Sequence, residues 1–174
     1  MSAIHRNVGL NSYENRVIEN PIAVVDYETI LELHVPSSRA NTGWASIVPT
    51  PLRKNSIKVQ AINLDTYIQK NDIQNINLIK MDIEGAELRA LHGMSTILSG
   101  NEPPMIYFEI NPFLLEKQGI NPIDVKQYLV RFGYRLFKLR HKTLVSVSAD
   151  TSENSLCNIL ATKRSIQSIE LIVR

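Results

Sequence analysis

The spacing of hydrophobic residues changes along this chain, and the changes predict an alternation of strands and helices. Two β-prone runs, Ile18 to Val25 and Thr29 to Val35, flank a short polar turn and predict a hairpin or a bent strand pair. Alternation from Ser56 to Asn63 predicts a half-buried strand that leads into a short helix, Leu64 to Gln69. The intervening segment, Pro36 to Asn55, has no periodicity and predicts a long loop.

The middle of the chain carries the clearest pattern, an apolar strand that turns directly into a helix. The strand begins near Asn77, and the predicted helix has one apolar stripe at helical spacing, formed by Leu88, Leu91, Met94 and Leu98. Further predicted elements are a strand from Met105 to Ile110, a turn at Asn111-Pro112, a helix from Asn121-Pro122, and strands at Tyr134 to Leu139, Thr143 to Val147 and Leu156 to Thr162. This order predicts an α/β sheet whose last strands pair by hairpin.

Composition and charge narrow the class of protein. The 174 residues, 44% hydrophobic and 21% charged, have the composition of one globular domain, residues 1–174. The net charge of +2 is spread along the chain and forms no basic stripe, so nucleic acid is not an expected partner. No apolar window reaches the length of a membrane span or a signal peptide, which favours a cytoplasmic protein.

Carboxylates concentrate where two predicted strands end. Asp82 and Glu84 follow the strand that begins near Asn77, and Glu109 lies at the end of the next strand. Ligands of open α/β sheets bind outside the carboxyl ends of parallel strands, and residues two apart in extended backbone point to the same side. Carboxylates in this position can remove a proton from a hydroxyl, hold a divalent cation or bind polar groups of a ligand.

A structural interpretation stays open for the acidic residues where the helix begins. Glu84 and Glu87 are three residues apart and would share a helix face. There they would complement the positive end of the helix dipole, an effect of roughly 0.3–1 kcal/mol each. We favour this interpretation for Glu87 and a functional one for Asp82 and Glu84.

Several segments resemble the FkbM family of methyltransferases. The run from Ile79 to Leu88, which reads IKMDIEGAEL and is followed by Leu91-His92-Gly93, is similar to the family signature. Further similar segments are Asn63 to Ile68, Ile106 to Glu109, Gly133-Tyr134 and the small-residue loop Asn41 to Ser46. Together these segments make residues 7–140 the best-matching region.

The resemblance implies a fold and an activity. The fold would be a partial class I, Rossmann-like methyltransferase sheet with helices on both faces and antiparallel C-terminal strands. The activity would be methyl transfer from S-adenosylmethionine, typically to a hydroxyl of a small molecule or sugar. The catalytic candidates are Asp82, Glu84 and Glu109, with Asp82 and Glu84 also candidates for a divalent cation. The acceptor-binding candidates are Trp44, Ser46 and Asn111.

The front of the chain departs from the family pattern. Members begin with a strand, a glycine-rich turn and a second strand that hold the cofactor. Residues 1–15 contain none of these features. We therefore expect an N-terminally truncated domain and assign no cofactor-binding residues. Loss of these strands would leave an open sheet edge. Two hypotheses follow. A partner chain or self-association could cover that edge and complete the enzyme, or the chain could be a non-catalytic remnant that acts only through a partner.

Overall fold

The structure, a computed structural model, describes residues 3–37 and 43–165, which form a mixed α/β fold. Its helices are α1 (Ala3–Leu10), α2 (Leu64–Lys70), α3 (Glu87–His92), α4 (Ser95–Ser99), α5 (Pro112–Glu116) and α6 (Pro122–Arg131). Its strands are β1 (Ala23–Val24), β2 (Thr29–Val35), β3 (Asn55–Ile62), β4 (Leu78–Met81), β5 (Met105–Ile110), β6 (Arg135–Arg140), β7 (Thr143–Ser146) and β8 (Cys157–Thr162). None of the helices in these ranges is long and apolar enough to cross a membrane.

A small sheet has the order β1-β3-β2. The predicted hairpin between β1 and β2 is wrong, because β3 lies between these two strands, parallel to β1 and antiparallel to β2. The first strand is also shorter than predicted. At its end Val25 is fully buried, and Asp26 pairs with Arg89 of α3 at 2.7 Å, so the chain turns toward α3 instead of continuing into a hairpin.

The larger sheet has the order β4-β5-β8-β6-β7. Strands β4 and β5 are parallel, whereas β8 is antiparallel to both β5 and β6, and β7 is antiparallel to β6. The prediction of antiparallel C-terminal strands is therefore confirmed. Strand β8 enters between β5 and β6, which leaves β4 at one edge of the sheet and β7 at the other.

The hydrophobic core lies against one face of the larger sheet. Ile106, Phe108 and Ile110 of β5 are fully buried there, in one cluster with apolar residues of α3 and α6. The opposite face of β5 carries Met105, Tyr107 and Glu109, which are only half-buried. This face of β5 is therefore less completely covered than the core face; helices on both faces of the sheet, which the family resemblance implied, stay a prediction.

The single helix expected over Leu88 to Leu98 is broken in two, and a close backbone approach explains the break. A Cβ on Gly93 would lie 2.1 Å from the carbonyl oxygen of Val25, so only glycine fits beside the small sheet. The Asp65 amide donates to the Gly93 carbonyl at 3.0 Å, and the Asp65 carboxylate accepts from the amides of Thr96 and Ile97. Asp65 of α2 therefore caps α4 and joins α2 to the turn between α3 and α4.

A short helix replaces part of the connection predicted after β5. The Asn111 side chain accepts a hydrogen bond from the Leu114 amide at 3.4 Å, and Pro112 occupies the first turn of α5. Proline is favoured in a first turn because its missing N–H would have no partner there. The expected turn at Asn111-Pro112 is thus the start of a helix.

Candidate functional site

The end of β4 is formed by a tight turn. The strand stops at Met81, and the backbone then enters the left-handed region at Glu84 (φ 53°) and Gly85 (φ 98°). A Cβ on Gly85 would lie 2.9 Å from Cβ of Leu114, so this position favours glycine on two grounds. The sequence argument that Asp82 and Glu84 share a side through extended backbone is wrong, because the strand has already ended.

Two side-chain hydrogen bonds fix this turn from outside, and a third holds one of the two donors in place. Ser46 Oγ donates to the Glu84 carbonyl at 2.6 Å and accepts from the Val48 amide at 2.9 Å. Gln118 Nε2 donates to the Gly85 carbonyl at 2.7 Å. Because Ser46 is buried and its hydroxyl is used in both bonds, its contacts here hold the Glu84 backbone. Asn41 and Thr42 of the same expected loop lie outside the described residues.

Arg53 is a residue of the site that sequence reasoning missed. Its Nη2 lies 3.1 Å from Oε2 of Glu84, and its side chain is only 6% exposed. Its remaining donors reach the carbonyl oxygens of Trp44 and Val48. Arg53 belongs to an aperiodic loop, 31 residues from Glu84, so no local pattern links the two.

Three of the predicted carboxylates come together. Asp82, Glu84 and Glu109 each offer an oxygen, and these oxygens all lie within 4.8 Å of one another. Glu109 reaches the group because β5 is parallel to β4 and ends at the same side of the sheet. Lys80 Nζ lies 2.9 Å from Asp82 Oδ2 at the exposed margin of the cluster.

Burial and mutual repulsion raise the pKa values of two carboxylates in this cluster. Burial raises the pKa of Glu84, and the neighbouring Asp82 raises it further, whereas the charge of Arg53 opposes both effects. Burial also raises the pKa of Glu109, helped by the charges of Asp82 and Glu84. A carboxylate with a raised pKa is a stronger base, so Glu109 is suited to accept a proton.

Glu87 lies beneath the turn and is only 1% exposed. Its Oε1 accepts long hydrogen bonds from the amides of Ile83 (3.4 Å) and Gly85 (3.3 Å), whereas Oε2 has no partner among the described residues. Burial raises the pKa of Glu87 to about 7. Glu87 does begin α3, but Glu84 precedes the helix, so the expected shared helix face is wrong. Its side chain supports the turn from the protein interior.

An open cleft of about 380 Å³ adjoins Glu84. Trp44 and Asn111, both predicted to bind an acceptor, line it. Its full lining consists of Pro36, Trp44, Thr50, Pro51, Leu52, Arg53, Glu84, Asn111, Phe113, Leu114 and Leu156. Asp82 instead borders a second cavity, of about 480 Å³, whose lining includes residues of the small sheet and of the turn after β4. The carboxylates thus border two separate spaces.

Comparison with known proteins identifies the family. One solved structure, the crystal structure of methyltransferase FkbM from Methylobacillus flagellatus KT, is 17% identical with a TM-score of 0.47. The match covers 91% of this chain and 31% of that one, so this chain spans about a third of that protein's length. Curated proteins gave no match. A family model described as the methyltransferase FkbM domain matches residues 2–136, most of this sequence. The chain therefore belongs to the FkbM methyltransferase family.

Proposed function

We propose that this chain serves S-adenosylmethionine-dependent methylation of a hydroxyl group and contributes the acceptor side of the site. The observation that carries the proposal is the convergence of Asp82, Glu84 and Glu109, of which Glu84 lines an open cleft, in a member of a methyltransferase family. A Rossmann-like class I architecture is part of the proposal. The parallel pair β4–β5, followed by antiparallel strands, supports it.

The carboxylates would divide the chemistry. S-adenosylmethionine supplies an activated methyl group, and transfer to oxygen depends mainly on alignment and on removal of the acceptor proton. Glu84 lines the cleft and is held by Arg53, so we assign it to orient the acceptor hydroxyl. Glu109 has a raised pKa and belongs to the same carboxylate cluster as Glu84, so we assign it as the base that removes the acceptor proton. Asp82 completes the cluster on the side of the second cavity.

The described residues do not form a cradle for the methionine part of the cofactor. A glycine-rich turn would let backbone approach the ligand closely, but the space at Gly85 is already filled by Leu114, Gln118 and Val48. The other glycines are scattered singly along the chain. We propose that a further polypeptide segment, from a partner chain or from self-association, supplies these contacts along the exposed edge of β4.

A divalent cation is a further element of the proposal. The carboxylate oxygens are close enough to share one ion, since Mg²⁺ and Ca²⁺ bind oxygens at about 2.0–2.6 Å. Asp82 and Glu84 would be the first two ligands. Burial is the main cause of the raised pKa of Glu109, and such an ion would offset the additional effect of the charges of Asp82 and Glu84.

A second candidate function is a non-catalytic role through a partner chain. Strand β4 lies at the edge of its sheet, and its apolar residue Leu78 is exposed. An edge strand offers backbone groups to an added strand. Both candidate functions use the exposed edge of β4, but only methyl transfer requires the carboxylates. Substitution of the carboxylates therefore distinguishes the two functions.

Calorimetric titration of the folded chain with S-adenosylmethionine, with and without magnesium, tests the proposal. If self-association completes the cofactor site, the folded chain should bind S-adenosylmethionine saturably. Asp82→Asn should weaken the binding seen with magnesium, and the exposed control Glu116→Gln should leave it unchanged. Product formation with a panel of alcohols, read as S-adenosylhomocysteine by mass spectrometry, should be lost in Glu109→Gln. A folded chain that binds no cofactor under either condition would contradict methyl transfer by this chain alone and favour the second candidate.

A further inference from the structure

Large apolar side chains surround the cleft beside Glu84 and remain exposed to solvent. The exposed fractions are 51% for Trp44, 71% for Leu52, 61% for Phe113 and 56% for Leu156. These residues come from the loop before β3, the start of α5 and the segment before β8. A single exposed apolar residue is ordinary, but convergence of four around one concavity is typical of a binding site.

The charges of the cleft argue against an anionic ligand. Among the lining residues Arg53 is the only cation, and its guanidinium is already bound to Glu84 and to the carbonyls of Trp44 and Val48. Within the described lining, an incoming phosphate or carboxylate would therefore find no cation that is not already paired; Lys117, which is outside the lining, holds its ammonium 4.9 Å from the centroid of the Phe113 ring. An anion would therefore gain no charge-assisted hydrogen bond from this lining to offset the cost of its desolvation.

The polar atoms of the cleft are also few. Besides the Arg53–Glu84 pair, the polar groups of the described lining side chains are those of Thr50 and Asn111 and the indole N–H of Trp44, and Oδ1 of Asn111 already caps α5. A sugar would give up hydrogen bonds from several hydroxyls to water and recover few of them. Each polar group buried without a partner costs about 1–3 kcal/mol, so the cleft disfavours a polyhydroxylated ligand.

We propose that this cleft binds an uncharged acceptor with a largely apolar ring or branched chain, and that the ligand presents one hydroxyl to Glu84. The volume of about 380 Å³ lies near the small end of the range for ligand pockets, about 300–1,000 Å³, which fits a compact molecule. Methylation of the bound hydroxyl rests on the proposed function. Binding of the apolar ligand does not.

The chain carries its own probe for this test, because Trp44 is its only tryptophan and lines the cleft. We would follow Trp44 emission while titrating three non-absorbing ring compounds: 4-tert-butylcyclohexanol, methyl α-D-glucopyranoside and cyclohexanecarboxylate. The first is apolar with one hydroxyl, the second polyhydroxylated and the third anionic. We expect a saturable change with the apolar alcohol at a Kd at least about tenfold lower than with either comparator.

Two variants connect the signal to the cleft. Phe113→Ala should raise the Kd for the apolar alcohol by about tenfold, since a lining ring is lost. Leu139→Ala removes a similarly exposed apolar side chain from β6, outside the cleft lining, and should leave the Kd unchanged. Circular dichroism of both variants checks that they are folded.

Three results would overturn the proposal: equal or tighter binding of the glucoside or the carboxylate, no saturable change with the alcohol, or equal effects of both variants. Emission that depends on protein concentration and tracks dimer formation would place a second copy in the cleft and would also overturn it. The titrations contain no S-adenosylmethionine, so a negative result leaves the methyl transfer proposal standing. If the chain binds the alcohol but no S-adenosylmethionine, the result would contradict methyl transfer by this chain and support the apolar binding site.

Discussion

Ionisation of Glu87 should make stability fall as pH rises. The side chain is buried, one of its oxygens has no partner, and burial raises its pKa from 4.5 to about 7. Between these two values the folded chain holds a proton on Glu87 that the unfolded chain has released, so the free energy of unfolding decreases with increasing pH. At about 1.4 kcal/mol per pH unit, the decrease is about 3 kcal/mol and is complete slightly above pH 7.

The variant Glu87→Gln isolates this effect. Glutamine keeps an oxygen that can accept from the Ile83 and Gly85 amides but does not titrate. The free energy of unfolding of the variant, relative to that of the natural chain, should rise by about 3 kcal/mol between about pH 4 and pH 8. Glu84 and Glu109 also have raised pKa values. The contribution of Glu84 cancels in the comparison, and that of Glu109 cancels except for its charge coupling to Glu87, which is smaller than the effect of burial.

Urea unfolding followed by circular dichroism at several pH values measures the difference. Glu116→Gln, which changes an exposed carboxylate of α5, is the matched control and should parallel the natural chain throughout. The buried amide of Glu87→Gln adds a penalty of its own, but that penalty is constant with pH. A constant difference between Glu87→Gln and the natural chain across the window would refute the reasoning.

Three further changes test the packing around the site. Gly93→Ala should lower the free energy of unfolding by more than about 2 kcal/mol, measured by urea titration, because its Cβ would overlap the carbonyl of Val25. Asp65→Ala should cost about 1 kcal/mol in the same assay through loss of the α4 cap, and Asp65→Asn should recover part of it. Lys126→Met should lower the thermal midpoint by removing a fully buried ammonium. The carbonyls of Ser148 and Thr151 would lose this donor, and Glu153 would keep only its pair with Lys138; an unchanged midpoint would contradict this reasoning.

Sequence patterns predicted correctly those features of the structure that depend on residues close together in the chain. The run through Asp82 and Glu84 indicated a strand followed by a turn and a helix, and the structure has that order. Glu109 could be grouped with them because two consecutive strands that become parallel neighbours end at the same side. The apolar stripe of the following helix is also buried as predicted at Leu91, although the helix itself is interrupted.

The features that sequence patterns missed depend on contacts between distant parts of the chain. The break at Gly93 depends on its distance from Val25, and glycine inside a helical pattern does not reveal what approaches it. Arg53 pairs with Glu84 across 31 residues. Glu87 reads as an ordinary first-turn acid, because its burial is decided by the turn that folds over it. In each case the sequence pattern describes a single helix, strand or loop, whereas the observed structure depends on its contact with a different one.

The edge position of β4 determines how the carboxylate cluster can come apart. Asp82 and Glu84 follow β4, whereas Glu109 belongs to β5, so the register of this one strand pair sets the spacing of the three acids. In a parallel ladder, alternate amides of an edge strand point away from its neighbour. Hydrogen exchange in β4 should therefore alternate between fast and slow along the strand. Transient fraying of β4 would separate the acids while the core of β5, β8 and α6 stays folded.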